Sequence, residues 1–217
     1  MSHSHTLYHV HDPMCSWCWG FSKVWQTIKS DLPDTIKTQY VLGGLAPDSS
    51  EPMPVSMQQM LQQTWHRIEA VVPGTQFNHD FWRLNKPRRS TYPSCRAVIA
   101  AKTQHERFEA PMITAIQHAY YLNALNPSDD EVLIGLAKDI GCDEIQFKES
   151  LNSEQTQNEL VNNLQLASSI GARGFPSLFI ARTGENAQPV ALDHNKAQVT
   201  IEHINTIINA DSQLSVY

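Results

Sequence analysis

Asp12-Pro13-Met14-Cys15-Ser16-Trp17-Cys18 decides how this chain folds, because it places a C-x-x-C where an extended segment runs into a helical one. Before it, Thr6 to His11 alternates and is rich in β-forming residues, and Asp12-Pro13 ends that strand. After it, Trp17, Phe21, Val24, Trp25 and Ile28 recur at helical spacing from about Ser16 to Ser30. The two sulfurs therefore meet at a helix N-terminus, where unpaired backbone N–H groups and the macrodipole favour a thiolate. A free thiol titrates near about 8.5 and drops by one to several units in such a site. The thiolate attacks disulfides, and a second thiol one helical turn on resolves the mixed disulfide that forms.

Outward from the motif, Leu32-Pro33-Asp34 breaks the helix and Ile36 to Leu42 reads as a second strand, closed by Gly43-Gly44. The opening is β-α-β. From Ala46 the texture changes. Pro47, Pro52 and Pro54 make an irregular connection, after which helical periodicity dominates as far as Ile170. Met57, Met60, Leu61, Trp65 and Ile68 form one stripe, and Tyr92-Pro93-Ser94 starts another helix carrying Cys95, Val98 and Ile99. Met112 to Tyr120 gives a third. Ser128-Asp129-Asp130-Glu131 has capping-box spacing, with Gly141 at the far end of that helix. Helices around Ile145 to Leu151 and Ser153 to Ile170 follow. Strand signals return at Ser177 to Ala181 and Pro189 to Leu192, joined by Thr183-Gly184-Glu185-Asn186, and a helix with Val199, Ile201, Ile204, Ile207 and Ile208 closes the chain.

Composition narrows the function. At 217 residues the chain can bury a sizeable core. A net charge of −6 argues against a general binder of nucleic acid or anionic membranes. No apolar run approaches the roughly 20 residues that span a bilayer. The start, Met1 to Val10, lacks the basic patch and apolar stretch of a signal peptide. A soluble, cytoplasmic protein is expected. Four cysteines, two of them isolated at 95 and 142, do not make the framework of a disulfide-stapled domain.

The order β-α-β, helical block, α-β-β-α, together with Cys15-Ser16-Trp17-Cys18 and the later Gly174-Phe175-Pro176-Ser177, resembles the DsbA-like branch of the thioredoxin superfamily. Residues 12–21 look especially like its bacterial cytoplasmic members, described as disulfide isomerases or oxidoreductases. The resemblance covers essentially the whole chain and is strongest at residues 8–25 and 166–181. It implies an α/β fold in which a discontinuous thioredoxin-like domain, residues 1–46 and 165–217, carries a helical insertion over 47–164. It also implies that Phe175-Pro176 is a cis-proline loop facing the cysteines and offering backbone hydrogen bonds to an extended substrate.

In this reading Cys15 is the attacking nucleophile, with its sulfur exposed, and Cys18 the more sheltered resolving thiol. Trp17, Phe175 and Pro176 are the expected substrate-contact residues. Phe175 departs from the small or β-branched residue often found there, and its ring either favours apolar substrate segments or packs inward. Ser16 and Trp17 bring no formal charge between the cysteines, whereas family members with a histidine there gain thiolate stabilisation. A couple less oxidising than theirs is expected. Asp12 is either a buried carboxylate acting on Cys18 or an Asx-turn residue leading into Pro13. His11 is weighed as an electrostatic partner of Cys15, Cys95 as a third redox thiol against a packing role, and Cys142 as packing. The basic stretch Arg83, Lys86, Arg88 and Arg89 reads as a solvated face or as a holder of a substrate carboxylate.

C-x-x-C is also a zinc-knuckle spacing, but no second C-x-x-C exists and His9 and His11 share one strand face; no metal ligands are assigned. The expected activity is thiol-disulfide oxidoreduction or isomerisation on disulfide-containing proteins, peptides or small molecules. It needs no cofactor beyond the cysteine pair, with glutathione as a candidate co-substrate. A glutathione-dependent transferase or isomerase of the kappa-class type shares the architecture but generally has a serine at the reactive position. The third alternative is a non-enzymatic redox-responsive binding protein or adaptor.

Overall fold

Alternating apolar residues in two short segments build the centre of the molecule. The computed structural model describes residues 3–214, so Met1 and Ser2 of the stretch read for a leader lie outside the described residues. Strand β1 (His5–His11) leads through helix α1 (Ser16–Asp31) to β2 (Ile36–Leu42). The two strands pair in parallel, His5 opposite Ile36 and His11 opposite Leu42. Parallel pairing requires a crossover, and α1 supplies it. After the helical block come β3 (Ser177–Arg182) and β4 (Gln188–Val190), each antiparallel to its neighbour, giving the order β2-β1-β3-β4.

The period of two along β1 sorts its side chains. Leu7 faces a core formed with Phe21, Trp25 and Ile28 of α1 and Ile201 and Ile204 of the closing helix. Val10 faces the other side, with Val41, Ala167 and Phe179. The sheet is thus covered on both faces, as the mixed α/β class demands.

Between the halves of the sheet run α2 (Val55–Val71), α3 (Phe81–Leu84), α4 (Tyr92–Gln104), a 3₁₀ turn at Glu106–Phe108, α5 (Glu109–Tyr121), α6 (Asp130–Asp139), α7 (Glu144–Leu151) and α8 (Glu154–Ser169); α9 (Ala197–Leu214) closes the chain. Helix α4 is the axis of this block. Every residue from Pro93 to Ala101 is buried, so the helix has no polar face for a stripe to stand against. Helix α8 runs across the expected domain boundary at residues 164–165. Leu160 and Leu164 join the helical core, while Leu166, Ala167 and Ile170 pack on the sheet. Among the described residues no helix is long and apolar enough to cross a membrane.

Several local expectations change. The α2 stripe is buried only at Trp65 and Ile68; Met57 is half-buried and Met60 is 54% exposed. The capping box does not form. Asp129, not Ser128, is the N-cap of α6 without a side-chain cap bond, and the Ser128 hydroxyl donates instead to the Ser90 carbonyl at 2.6 Å. The last strand ends at Val190, short of Leu192. The single turn α3 and the 3₁₀ segment are too short to show a helical period in sequence.

Candidate active site

Cys15 is the N-cap of α1. Its backbone is extended (φ −80°, ψ 116°), and its carbonyl accepts the Trp19 N–H at 3.0 Å to open the helix. The sulfur therefore lies beside the N–H groups that have no intrahelical partner. Cys18 sits one turn on, 2% exposed, with Cys15 as its neighbour. Burial, and then the neighbouring Cys15, pushes the Cys18 thiol well above its ordinary range. Cys18 is thereby held as the protonated thiol of the pair.

Cys15 is more sheltered than expected. The residue is 6% exposed, because the chain returns at Phe175 and lays its carbonyl 3.5 Å from Sγ. The Phe175–Pro176 peptide is cis. The Phe175 ring is half-buried and packs inward over Gly43, so closely that a Cβ on Gly43 would lie 2.1 Å from ring carbons. That glycine is required by close approach. Of the two roles open to Phe175, the ring takes the packing one and the backbone faces the sulfur. Trp17 is half-buried, edge-on to His194 at 5.1 Å and beneath the Arg67 guanidinium at 5.9 Å.

Asp12 anchors the approach to Cys15. Its carboxylate accepts the Met14 N–H at 2.7 Å, the Leu45 N–H at 2.7 Å and the Thr91 hydroxyl at 2.6 Å, and its own carbonyl accepts the Cys15 N–H at 3.0 Å. The bond to Met14 is the Asx turn. The other two tie the end of β1 to the segment after β2 and to the start of α4. Burial raises the carboxyl above its usual range, and these hydrogen bonds partly offset the rise. The Thr91 partnership had no signal beyond a helix-start pattern.

The remaining candidates separate. Cys95 is fully buried with its thiol 3.7 Å from Asp12 Oδ2, and burial followed by that carboxylate raises it, so it is held protonated away from solvent. Cys142 is buried near the start of α7. The basic stretch divides: Arg83 pairs with Asp80, Arg88 pairs with Asp129 and donates to the Ser128 carbonyl, and Arg89 lies half-buried where its charge reaches Asp12.

His9 and His11 point into the core beneath α1, with ring centroids 5.0 Å apart and His9 4.3 Å from Trp25. Among the described residues neither ring nitrogen of His9 has a hydrogen-bond partner. Both rings line a cavity of about 220 Å³ that Cys18 also borders, room for several waters. Burial lowers His9 well below its ordinary range and takes His11 down to about 3. His11 is therefore uncharged at neutral pH and brings no positive charge to Cys15.

This has a consequence for stability. Below about pH 6.5 the unfolded chain protonates both imidazoles and the folded chain does not, so stability falls as pH drops towards 3. The share of each ring is up to about 1.4 kcal/mol per pH unit. Asp12, raised in the folded state, acts in the opposite sense above the ordinary carboxylate range. Urea unfolding of the His11→Leu variant between pH 6 and 4 is expected to show a shallower slope by roughly that amount. An unchanged slope would contradict the neutral assignment.

Comparison with known proteins bears on the fold. A proposed protein disulfide isomerase from Nitrosomonas europaea superposes with a TM-score of 0.86 at 23% identity, covering 95% of this chain and 98% of that one. The cytosolic disulfide reductase DsbM from Pseudomonas aeruginosa gives 0.72 at 22% identity, over 98% and 100%. Among curated proteins, the ClpXP adapter protein SpxH of Halalkalibacterium halodurans is 22% identical over 163 residues, 73% of this chain and 53% of that protein. SpxH of Bacillus subtilis is 21% identical over 178 residues, 82% and 58%. The chain thus spans just over half the length of these curated relatives. The structural likenesses, which extend to DsbA oxidoreductases, establish a DsbA-like thioredoxin fold. Residues 8–203 match the family model described as thioredoxin, and the chain belongs to that family.

Proposed function

We propose that this protein is a cytoplasmic thiol-disulfide oxidoreductase or isomerase that works through Cys15 and Cys18. The observation that carries the reading is the position of the Cys15 sulfur. It lies at the N-cap of α1, in contact with the Cys18 thiol and opposite the Phe175 carbonyl.

The Cys15 thiolate attacks one sulfur of a substrate disulfide. That S–S bond breaks, a Cys15–substrate disulfide forms, and one substrate thiolate leaves. Cys18 then loses its proton and attacks Cys15 Sγ. The Cys15–Cys18 disulfide forms, the second substrate thiolate leaves, and two electrons have passed to the substrate. Two molecules of a small thiol such as glutathione, oxidised together to its disulfide, restore the pair. For isomerisation another substrate thiol attacks the mixed disulfide first, and no net electrons move. An extended substrate segment displaces the Cys15–Phe175 contact and takes up the backbone at Phe175 and Pro176, with Trp17 and its neighbour His194 on the rim. The DsbM structure solved with glutathione supports that tripeptide as co-substrate.

The test is to trap the intermediate. Cys18→Ser incubated with glutathione disulfide should accumulate one glutathione on Cys15, seen by intact mass, whereas the wild type should pass through to the internal disulfide. Failure of Cys18→Ser to accumulate the adduct would contradict the assignment of roles.

A second reading, a binding adaptor, draws support from the SpxH relatives, which are named as adapters. A partner-binding role that survives Cys15→Ser would favour it.

A further inference from the structure

Away from the cysteines, two imidazoles converge on one carboxylate oxygen. Glu69 Oε2 lies 3.4 Å from Nδ1 of His66, one turn back on α2, and 3.1 Å from Nε2 of His79 in the loop between α2 and α3. The two imidazoles stack with centroids 4.2 Å apart and planes inclined by 15°. Their three ligand atoms all lie within 4.8 Å of one another.

We propose that His66, Glu69 and His79 form a binding site for a divalent transition-metal ion, with Zn²⁺ the ion that fits. Two imidazoles and one carboxylate are a borderline donor set suited to Zn²⁺, which accepts three protein ligands and leaves a fourth position to solvent. Metal–ligand bonds of about 2.0–2.1 Å at tetrahedral angles place neighbouring ligand atoms about 3.3 Å apart. The two measured separations, 3.1 and 3.4 Å, bracket that value. The carboxylate is also pre-aimed. Its other oxygen, Oε1, accepts the Phe77 N–H at 3.0 Å, the outer hydrogen bond that orients a ligating group. His79 rests edge-on against the buried Trp65, which fixes its ring.

Binding needs no redox step. Each imidazole presents an unprotonated nitrogen to the ion, with its N–H on the other ring atom. The ion would staple the end of α2 to the loop that follows. That loop already holds α1: the Gln76 carbonyl accepts Trp19 Nε1 at 3.0 Å, and the Gly74 carbonyl accepts Lys23 Nζ at 2.7 Å. A metal here therefore secures the helical block on the helix that carries the cysteines.

The experiment uses the full chain with Cys15 and Cys18 both replaced by serine, so that the paired thiols cannot take the ion. Metal is stripped with chelator, and Zn²⁺ is titrated in competition with a chromophoric chelator. One equivalent should bind, and Zn²⁺ should raise the melting temperature of this parent. His66→Gln and His79→Gln should each weaken binding by more than about tenfold, the scale that even outer-shell changes produce at zinc sites, and abolish the thermal shift. His66 is 67% exposed in its side chain, so its variant is expected to fold whatever befalls the other. The proposal is overturned if no equivalent binds at millimolar Zn²⁺, or if His66→Gln binds as the parent does.

Discussion

Cys15→Ser should lower disulfide-exchange turnover by a thousandfold or more, on the order of what loss of a covalent nucleophile costs, while leaving the fold intact. The reason lies in the asymmetry of the pair. Cys18 is buried and pushed well above the ordinary thiol range, so it is poorly placed to stand in as the attacking group. Cys95 is no better placed, because it is fully buried against the Asp12 carboxylate. Cys18→Ser should also stop two-electron turnover but keep the first attack, so the two variants fail at different steps. Initial rates of reduction of a small disulfide in the presence of glutathione measure both. Residual Cys15→Ser activity within about tenfold of wild type would mean that another group performs the chemistry.

The second large effect is expected at Asp12. Asp12→Ala removes the acceptor of the Met14 and Leu45 N–H groups and of the Thr91 hydroxyl, all of them part-buried or buried. An unmade buried hydrogen bond costs about 1–3 kcal/mol, so a loss of roughly 3–5 kcal/mol is expected after relaxation. Thr91→Val removes one of the three and should cost about 1–2 kcal/mol. Urea midpoints at pH 7 measure both. The effect should not be confined to stability. The Asx turn sets the backbone that delivers Cys15 to the N-cap, so Asp12→Ala should slow exchange even where it is folded. A loss below about 1 kcal/mol would show that water replaces the carboxylate cheaply.

These two sites differ in how much of them sequence alone reveals. The cysteine pair is legible because its information is local: the strand, the break at Asp12-Pro13 and the helical period after Ser16 lie within a few residues. The first and second strands and α1 follow from the same short-range patterns. The shelter of Cys15 does not. It comes from Phe175, 160 positions away, and no periodicity reports where that carbonyl lands. The same is true of Asp12, whose Asx turn is local but whose bonds to Leu45 and Thr91 span 33 and 79 positions. Helix α4 is readable from its start signal and from Cys95, Val98 and Ile99, but not its depth, because burial from Pro93 to Ala101 also takes in the polar Ser94 and Arg96. The front of α2 misleads in the opposite way: Met57 and Met60 stand at core spacing, yet Met57 is only half-buried and Met60 is 54% exposed. At Ser128 a capping pattern was present, but the hydroxyl found a better partner in the Ser90 carbonyl, brought in by tertiary packing.

In the proposed mechanism Cys15 and Cys18 form a reversible dithiol–disulfide couple. It is tested most directly by equilibrating the protein anaerobically across a series of glutathione redox buffers and reading the oxidised fraction by tryptophan fluorescence and thiol alkylation. No charged residue separates the two cysteines, and α1 has no acidic residue in its first turn. One two-electron transition is expected, with a potential nearer to about −270 mV than to about −120 mV, and no transition in Cys15→Ser. Absence of a two-electron transition in the wild type, with the thiols either inert or ending as a single glutathione adduct, would contradict it.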